Sequence, residues 1–261
     1  MIIPPLQGKL NQTGFFIYAA ADEKYFDTYA RPLINSVIKN TPEYGIHLHI
    51  YNPRPDQIEF CNKPKVSCTY EFIDEQIFNN IRDLWYTRTD FTNDRQRQMR
   101  KKGETLGPIE LQKLVRQTYF ACARFIRLSE LLQNNPCLAI DVDGLVRKSF
   151  NYDLGKTADF YLYEKPKDGS HLAGALLFNN TLGSKKFLDE YATLIKNSIE
   201  KDDVYWFLDQ FILDNLVNKY NKGLLPMTYI DWAMRPESAI WSAKGKRKEL
   251  AIFKQEQAKY L

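Results

Sequence analysis

The chain has 261 residues, 44% apolar and 26% charged, with a net charge of +4. This composition is that of a globular protein and excludes a disordered chain, a fibre and a collagen; at ~100–200 residues per domain it allows one large domain or two small ones. The longest apolar runs, such as Leu172–Phe178, fall far short of the ~18–20 residues of a membrane span. Met1-Ile2-Ile3-Pro4-Pro5 lacks the basic, apolar, small-residue order of a secretory leader, so a cytoplasmic protein is expected. A pI of about 8.7 suits an anionic ligand but is below the value above ~9 expected of a nucleic-acid binder. Cys61, Cys68, Cys122 and Cys137 form no C-x-x-C pair, which argues against a zinc ribbon and for free thiols.

Along the chain, Phe15–Ala20 is a short apolar run of β-formers and predicts a buried strand, with Ala21-Asp22 as the turn after it. A helix is predicted from there to about Lys39, with Tyr29, Leu33 and Val37 at i, i+4 spacing and Asn40-Thr41-Pro42 as its stop. His47–Tyr51 and Val66–Tyr70 read as the next strands. This alternation indicates an α/β fold with a mainly parallel sheet. Trp85–Pro108 is polar and basic with little periodicity, and reads as a long loop or a loosely packed helix; loops of this length tend to be functional lids or disordered. A strong helix follows from about Ile109 to Gln133. Cys137–Ile140 is a buried strand running into Asp141-Val142-Asp143-Gly144. His171–Phe178 reads as a strand, Phe187–Glu200 and Tyr205–Tyr220 as helices, and the basic end from Ser242 as a short helix. No repeat or low-complexity linker divides the chain, so one domain over residues 1–261 is expected.

Asp141 and Asp143 stand at the carboxyl end of a buried strand, where open α/β sheets bind ligands. Two carboxylates there can hold a hard divalent cation through oxygen, and that cation can neutralise a diphosphate leaving group. The same D-x-D-G also fits the haloacid-dehalogenase-like phosphatases, in which Asp141 is the nucleophile. That motif usually opens its domain, whereas here about 140 residues precede it, and Leu145 stands where a Thr is usual. A polar turn after a strand is the structural alternative to both.

Several segments, in order, resemble the nucleotide-sugar glycosyltransferases of GT-A fold, nearest to glycosyltransferase family 8. "YAAADEKYF" is similar to that family's first strand and nucleoside-binding loop, which implies nucleotide contacts at Ala20, Asp22, Glu23 and Tyr25. "ARFIRLSELLQNNPCLAIDVDGLV" resembles the arginine-bearing helix that leads into the strand and D-x-D; Arg124 is then a nucleotide-site arginine, and Asp141 and Asp143 hold Mn²⁺ or Mg²⁺. "LAGALLFNN" resembles the strand lining the donor-sugar pocket. "WFLDQFIL" resembles the segment facing the reacting sugar and implies catalytic roles for Asp209 and Gln210. "WSAKGKRK" resembles the carboxyl-terminal diphosphate motif, matching at Gly245 and Lys248, with Lys246 adding charge.

Two positions depart from the pattern: Ser242 replaces the histidine that is usually a third metal ligand, and Leu172 replaces the asparagine that touches the donor sugar. His171 and Asp231 are candidate substitutes for that ligand. The resemblance implies a nucleotide-binding half over residues 1–143, an acceptor and donor-sugar half over 144–261, and a lid over 85–108. It further implies a UDP-sugar donor, transfer with retention and a carbohydrate, glycolipid or protein acceptor; the mild charge calls for no nucleic-acid partner, and the basic lid allows at most peripheral membrane contact. A catalytically inactive GT-A-like binding protein is the alternative that Ser242 and Leu172 keep open. Asp22 and Glu23 equally suit a helix cap. His47 and His49 alternate on a strand and read as structural. Trp206, Trp232 and Trp241 suit either an acceptor platform or core.

Overall fold

A computed structural model describes residues 3–87, 101, 106–132, 134–155, 157–165, 169–201 and 203–261. The strands are β1 (Gln7–Gly8), β2 (Phe16–Asp22), β3 (Gly45–Tyr51), β4 (Val66–Glu71), β5 (Cys137–Ile140), β6 (Gly144–Val146), β7 (Phe160–Glu164), β8 (His171–Phe178), β9 (Lys222–Leu224), β10 (Ile230–Asp231) and β11 (Ile240–Ser242). The α-helices are α1 (Glu23–Tyr25), α2 (Arg31–Asn40), α3 (Pro55–Phe60), α4 (Glu75–Thr87), α5 (Pro108–Leu131), α6 (Leu182–Glu200), α7 (Leu208–Leu216) and α8 (Ala251–Gln257).

Eight of the described strands form one sheet in the order β1-β4-β3-β2-β5-β8-β7-β9. β2 pairs in parallel with β3 on one side and β5 on the other. The chain therefore winds outward from β2 through β3 to β4, then returns to β2's other edge. That reversal is a topological switch point, and it opens a crevice at the carboxyl ends of β2 and β5. β8 runs antiparallel to β5. Because β5 and β8 lie on either side of the 143/144 boundary, the two expected halves share one sheet. A second sheet, β10-β11-β6, starts immediately after the aspartate pair and lays Ser242 opposite Gly144.

β2 is buried on both faces, as a central parallel strand must be. Phe16 and Tyr18 face a core shared with α4, α5, α6 and α7, whereas Ile17, Ala19 and Ala21 face one shared with α2. The sheet is thus the middle layer of three. Gly107 precedes α5 and Pro108 occupies its first turn, where a missing N–H costs nothing. Leu111, Val115, Tyr119, Cys122, Phe125 and Leu128 lie fully buried along it. Burying side chains the size of Phe125 or Leu128 stabilises by about 1.5–3 kcal/mol each. Tyr18 Oη donates to the Arg124 carbonyl at 2.8 Å, which fixes α5 against β2 beside the crevice.

The structure corrects several expected boundaries. Ala21 and Asp22 are not a turn; they continue β2, paired with Ile50 and Tyr51. The first helical stretch contains a π-helical segment over Phe26–Ala30. α6 starts at Leu182, five residues before the expected Phe187, because Thr181 caps it by accepting from Ser184 N. The helix expected from Tyr205 begins at Leu208, since Phe207 holds a left-handed φ of 69°. Trp85 belongs to α4 and is buried, its indole N–H donating to the Val204 carbonyl. The first residues of the expected lid are therefore helix, and its 88–100 and 102–105 lie outside the described residues. Among the described residues, no helix is long and apolar enough to cross a membrane.

Candidate active site

The crevice gathers its side chains from four distant parts of the chain. β5 delivers Asp141 and Asp143, α5 delivers Arg124, α7 delivers Asp209 and Gln210, and the turn after β11 delivers Lys248. Arg124 Nη1 donates to Asp141 Oδ1 at 2.5 Å, and Nη2 donates to the Ala173 carbonyl at 3.0 Å. Nη2 also lies 3.6 Å from Asp209 Oδ2. Lys248 Nζ lies 2.6 Å from Asp143 Oδ2 and donates to Tyr25 Oη at 3.0 Å. The Tyr25 and Tyr29 rings flank the same ammonium, with centroids at 4.6 and 5.1 Å.

A bulge in β8 organises this cluster. Pairing with β7 runs from Leu162↔Leu176 to Tyr163↔Leu172, so β8 spends extra residues there. Those residues serve the site. Ala173 N donates to Gln210 Oε1 at 3.0 Å, its carbonyl accepts from Arg124, and the Gly174 carbonyl accepts from Asp141 N at 3.1 Å.

The electrostatics split the carboxylates. Burial raises the Asp141 carboxyl, but Arg124 outweighs it, with Lys244 and Lys248 behind, and holds its pKa below the ordinary value. Burial and the Asp141 charge push Asp143 up, against the pull of Lys248. Burial also raises Asp209, against Arg124. Burial lowers the Lys248 ammonium, but Asp143 overcomes it and the pKa is raised. Opposed shifts among neighbouring acids in one crevice are a feature of functional sites.

The nucleoside-side residues have local partners. Asp22 Oδ1 accepts from Tyr25 N at 2.7 Å, capping α1. Arg54 Nη1 donates to Glu23 Oε1 at 2.8 Å, and Gln57 Nε2 donates to the Glu23 carbonyl at 2.8 Å. The start of α3 thus braces the start of α1. Ala20 lies half-buried on β2. Gly245 takes φ 66°, a conformation that favours glycine.

Among the basic residues, the Lys244 charge pulls the Asp141 and Asp209 carboxyls down, and its ammonium lies 5.6 Å from the Phe207 ring centroid. Lys246 is exposed on the same turn. The β8 bulge and Arg54 are contributors that motif reading did not single out. The bulge has no signal of its own in the sequence beyond Ala173-Gly174.

The candidate substitute ligands are engaged elsewhere. His171 Nδ1 lies 3.0 Å from Asp214 Oδ1, and Lys222 Nζ lies 2.8 Å from Nε2. An ammonium has no lone pair to offer, so Nε2 accepts from Lys222 and Nδ1–H donates to Asp214. Asp231 accepts from Ala233 N, Arg235 N and Ser238 Oγ. Trp241 donates to the Arg235 carbonyl under the Arg147 guanidinium, and Trp232 packs on Tyr163 in the core.

The aspartate pair fits a hard divalent cation in one respect. Asp143 Oδ1 and Ser242 Oγ are buried oxygens without a partner among the described residues, and the backbones of Gly144 and Ser242 are paired. Among the described residues no group of three His, Cys, Asp or Glu side chains could hold a metal. Two open grooves of the described surface lie away from these residues, one lined by Leu194, Phe211 and Leu216 and the other by Leu106, Lys113 and Leu114.

No protein-family model matches the chain, and no curated protein matches it. Solved structures do. The galactosyltransferase LgtC, in complex with donor and acceptor sugar analogs, matches 94% of this chain and 95% of its own at 13% identity, with a TM-score of 0.53. The bifunctional glycosyltransferase WbbM matches 96% of this chain at 14% identity, TM-score 0.55, and the glycosyltransferase GlyE of Streptococcus pneumoniae matches 94% at 13% identity, TM-score 0.55. This chain spans 51% of WbbM and 60% of GlyE. With its mostly parallel sheet, flanking helices and aspartate pair at the switch point, the chain has the GT-A fold of these glycosyltransferases.

Proposed function

We propose that this chain is a glycosyltransferase that takes its sugar from a nucleotide donor, a UDP-sugar in the first instance. The observation that carries this reading is the meeting of Asp141, Asp143 and Asp209 with Arg124 and Lys248 at the carboxyl ends of β2 and β5. A site with both charges fixed suits a ligand that is itself a diphosphate and a neutral sugar.

In this reading the end of β2 and the start of α1 receive the nucleoside through Ala20, Asp22, Glu23 and Tyr25. Gly245 lets the backbone approach the diphosphate, and Lys244 and Lys248 turn to it. Asp141 and Asp143, with the Ser242 oxygen, would hold Mg²⁺ or Mn²⁺, which when bound supplies Lewis-acid neutralisation of the leaving group. Arg124 keeps Asp141 ionised and in place. Lys244 and Lys248 stabilise the charge that develops on the diphosphate as the bond to the anomeric carbon breaks. The acceptor hydroxyl forms the new bond, and its proton passes to the departing diphosphate. Asp209 and Gln210 flank the reacting carbon, and the transfer retains its configuration.

The test is a thermal-shift screen with UDP, GDP, CMP and dTDP, each with and without Mn²⁺, followed by UDP release from UDP-hexoses. Ligand at 100 times its Kd should add ~2.7 kcal/mol. A metal-dependent shift with UDP together with UDP release supports the reading. A shift without UDP release favours the inactive binding protein. Phosphate release from small phosphomonoesters would favour the phosphatase, although that reaction asks for an Asp141 carboxylate free to attack, whereas here Arg124 holds it.

A further inference from the structure

Cys61 ends α3 as its C-cap, and Cys68 stands on β4. A tight turn joins them. Lys63 and Val66 form an antiparallel bridge, with Val66 N donating to the Lys63 carbonyl at 3.0 Å. Two residues outward from that bridge, one on each arm, stand Cys61 and Cys68, so the turn folds one toward the other. Side chains alternate along β4. Val66 and Cys68 therefore share a face, and it is the one turned to the core shared with α2, where Cys61 also lies.

Both cysteines are free thiols, and they hydrogen-bond each other. Cys61 is 2% exposed and Cys68 half-buried, so an oxidant in solution meets Cys68 first. The hydrogen bond also divides their chemistry. Losing its proton would cost Cys61 the bond, which together with burial pushes its pKa up. Accepting that bond steadies a thiolate on Cys68 and lowers its pKa, against burial. A thiolate is the form that attacks, and a second thiol beside it condenses with the sulfenic acid first formed. Cys122 and Cys137 have no such setting: both are fully buried, and burial pushes their thiols up.

We propose that Cys61 and Cys68 are a redox modification site, a dithiol that a peroxide converts to a disulfide. The Cys68 thiolate attacks one oxygen of hydrogen peroxide; the O–O bond breaks, the other oxygen leaves as water after taking a proton, and Cys68 becomes a sulfenic acid. The Cys61 sulfur then attacks the Cys68 sulfur. The S–O bond breaks, the S–S bond forms, and a second water leaves with the Cys61 proton. Together the two thiols lose two electrons and the peroxide gains them. The new bond ties β4 to the end of α3, the helix whose start holds Glu23. A dithiol reductant reverses it by thiol–disulfide exchange.

The experiment treats folded protein with hydrogen peroxide, checks the fold by circular dichroism, alkylates the remaining thiols in denaturant and maps the peptides by mass spectrometry. In wild type, the Cys61 and Cys68 peptides should be linked, with the loss of two hydrogens. Cys122 and Cys137 should be alkylated as before, and dithiothreitol should restore all four thiols. Cys61→Ser should stop at a sulfenic acid on Cys68, which dimedone captures. In Cys68→Ser, oxidation of Cys61 should be slower by about tenfold or more, because the exposed thiolate is gone.

A wild type in which Cys61 and Cys68 stay free, or in which either links to Cys122 or Cys137, overturns the inference. So does oxidation of Cys122 and Cys137 as fast as that of Cys68, which would place the reaction in unfolded chains. Oxidation of Cys61 at the wild-type rate in Cys68→Ser overturns the division of roles between the two.

Discussion

Gly174 and Asp141 touch so closely that a β-carbon on residue 174 would stand 2.6 Å from Asp141 Oδ2. The carboxylate cannot swing aside freely, because Arg124 holds its other oxygen at 2.5 Å. Glycine at 174 is therefore a requirement of the site, not of the strand's backbone. Gly174→Ala should weaken metal-dependent UDP binding at least tenfold while leaving the fold intact, as read by calorimetry and circular dichroism. Unchanged binding would mean that Asp141 does not carry the ligand.

Arg124 is the hub of the buried charge cluster, reaching Asp141, the Ala173 carbonyl and Asp209. Removing one partner of a buried ion pair costs about 3–5 kcal/mol, because the other charge is left uncompensated. Arg124→Met should lower unfolding free energy in urea by about that amount, and Arg124→Lys by less. A loss below ~1 kcal/mol would show that water already solvates the pair.

Lys248 and an incoming divalent cation compete for Asp143. Lys248→Met should strengthen stabilisation by Mn²⁺ alone, because the 2.6 Å ion pair no longer opposes it, yet weaken UDP binding about tenfold or more. Asp143→Asn should abolish the Mn²⁺-dependent part of the thermal shift. If Lys248→Met leaves both unchanged, the lysine does not face the diphosphate.

Asp22 combines a local role with an expected functional one. Asp22→Ala removes the cap on Tyr25 N and should cost ~1 kcal/mol, whereas Asp22→Asn keeps an oxygen for the cap and should cost little. A nucleoside contact through the carboxylate predicts that Asp22→Asn still weakens UDP binding about tenfold in a titration. Equal affinity in wild type and Asp22→Asn would leave the residue a cap only.

Acid stability should report the buried histidines. His47 bonds Ser67 Oγ at 2.8 Å and Thr69 Oγ1 at 3.0 Å, and burial lowers its pKa to about 3. The unfolded chain binds that proton near pH ~6.5 and the native chain does not, so stability is full above that pH. It then falls by about 1.4 kcal/mol per pH unit for this group as pH drops toward its folded value. Glu71, raised by burial to about 7 against Arg127, contributes the opposite slope. Comparing His47→Gln with wild type cancels the Glu71 contribution. The variant should lose less stability between pH 6.5 and 4.5 in urea titrations, and parallel profiles would refute a neutral buried His47.

Much of the α/β plan is legible in local pattern. β3, β5 and β8 are runs of apolar residues in an otherwise polar chain, and the periodic face of α5 runs from Leu111 to Leu128. α4 and β7 were not read from the sequence. Glu75–Thr87 does carry an apolar face, with Ile77, Phe78, Ile81, Leu84 and Trp85 at helical spacing, but it lies between polar residues without a clear start or stop signal, and Phe160–Glu164 is short. The start of α7 was misplaced because a left-handed Phe207 has no compositional signature, unlike a glycine.

By itself the sequence determined that a buried strand ends in two carboxylates and that an arginine-bearing helix precedes it, because burial and carboxylate chemistry are properties of adjacent residues. Only the tertiary structure decided which charges meet. It sets Lys248 against Asp143 and brings the Lys244 charge to bear on Asp141; it holds Glu23 with Arg54 and turns the Gln210 oxygen onto Ala173. The reason is physical: periodicity along one element encodes which face is buried, whereas contacts between residues tens of positions apart depend on strand register, on a bulge and on the angle of a distant helix.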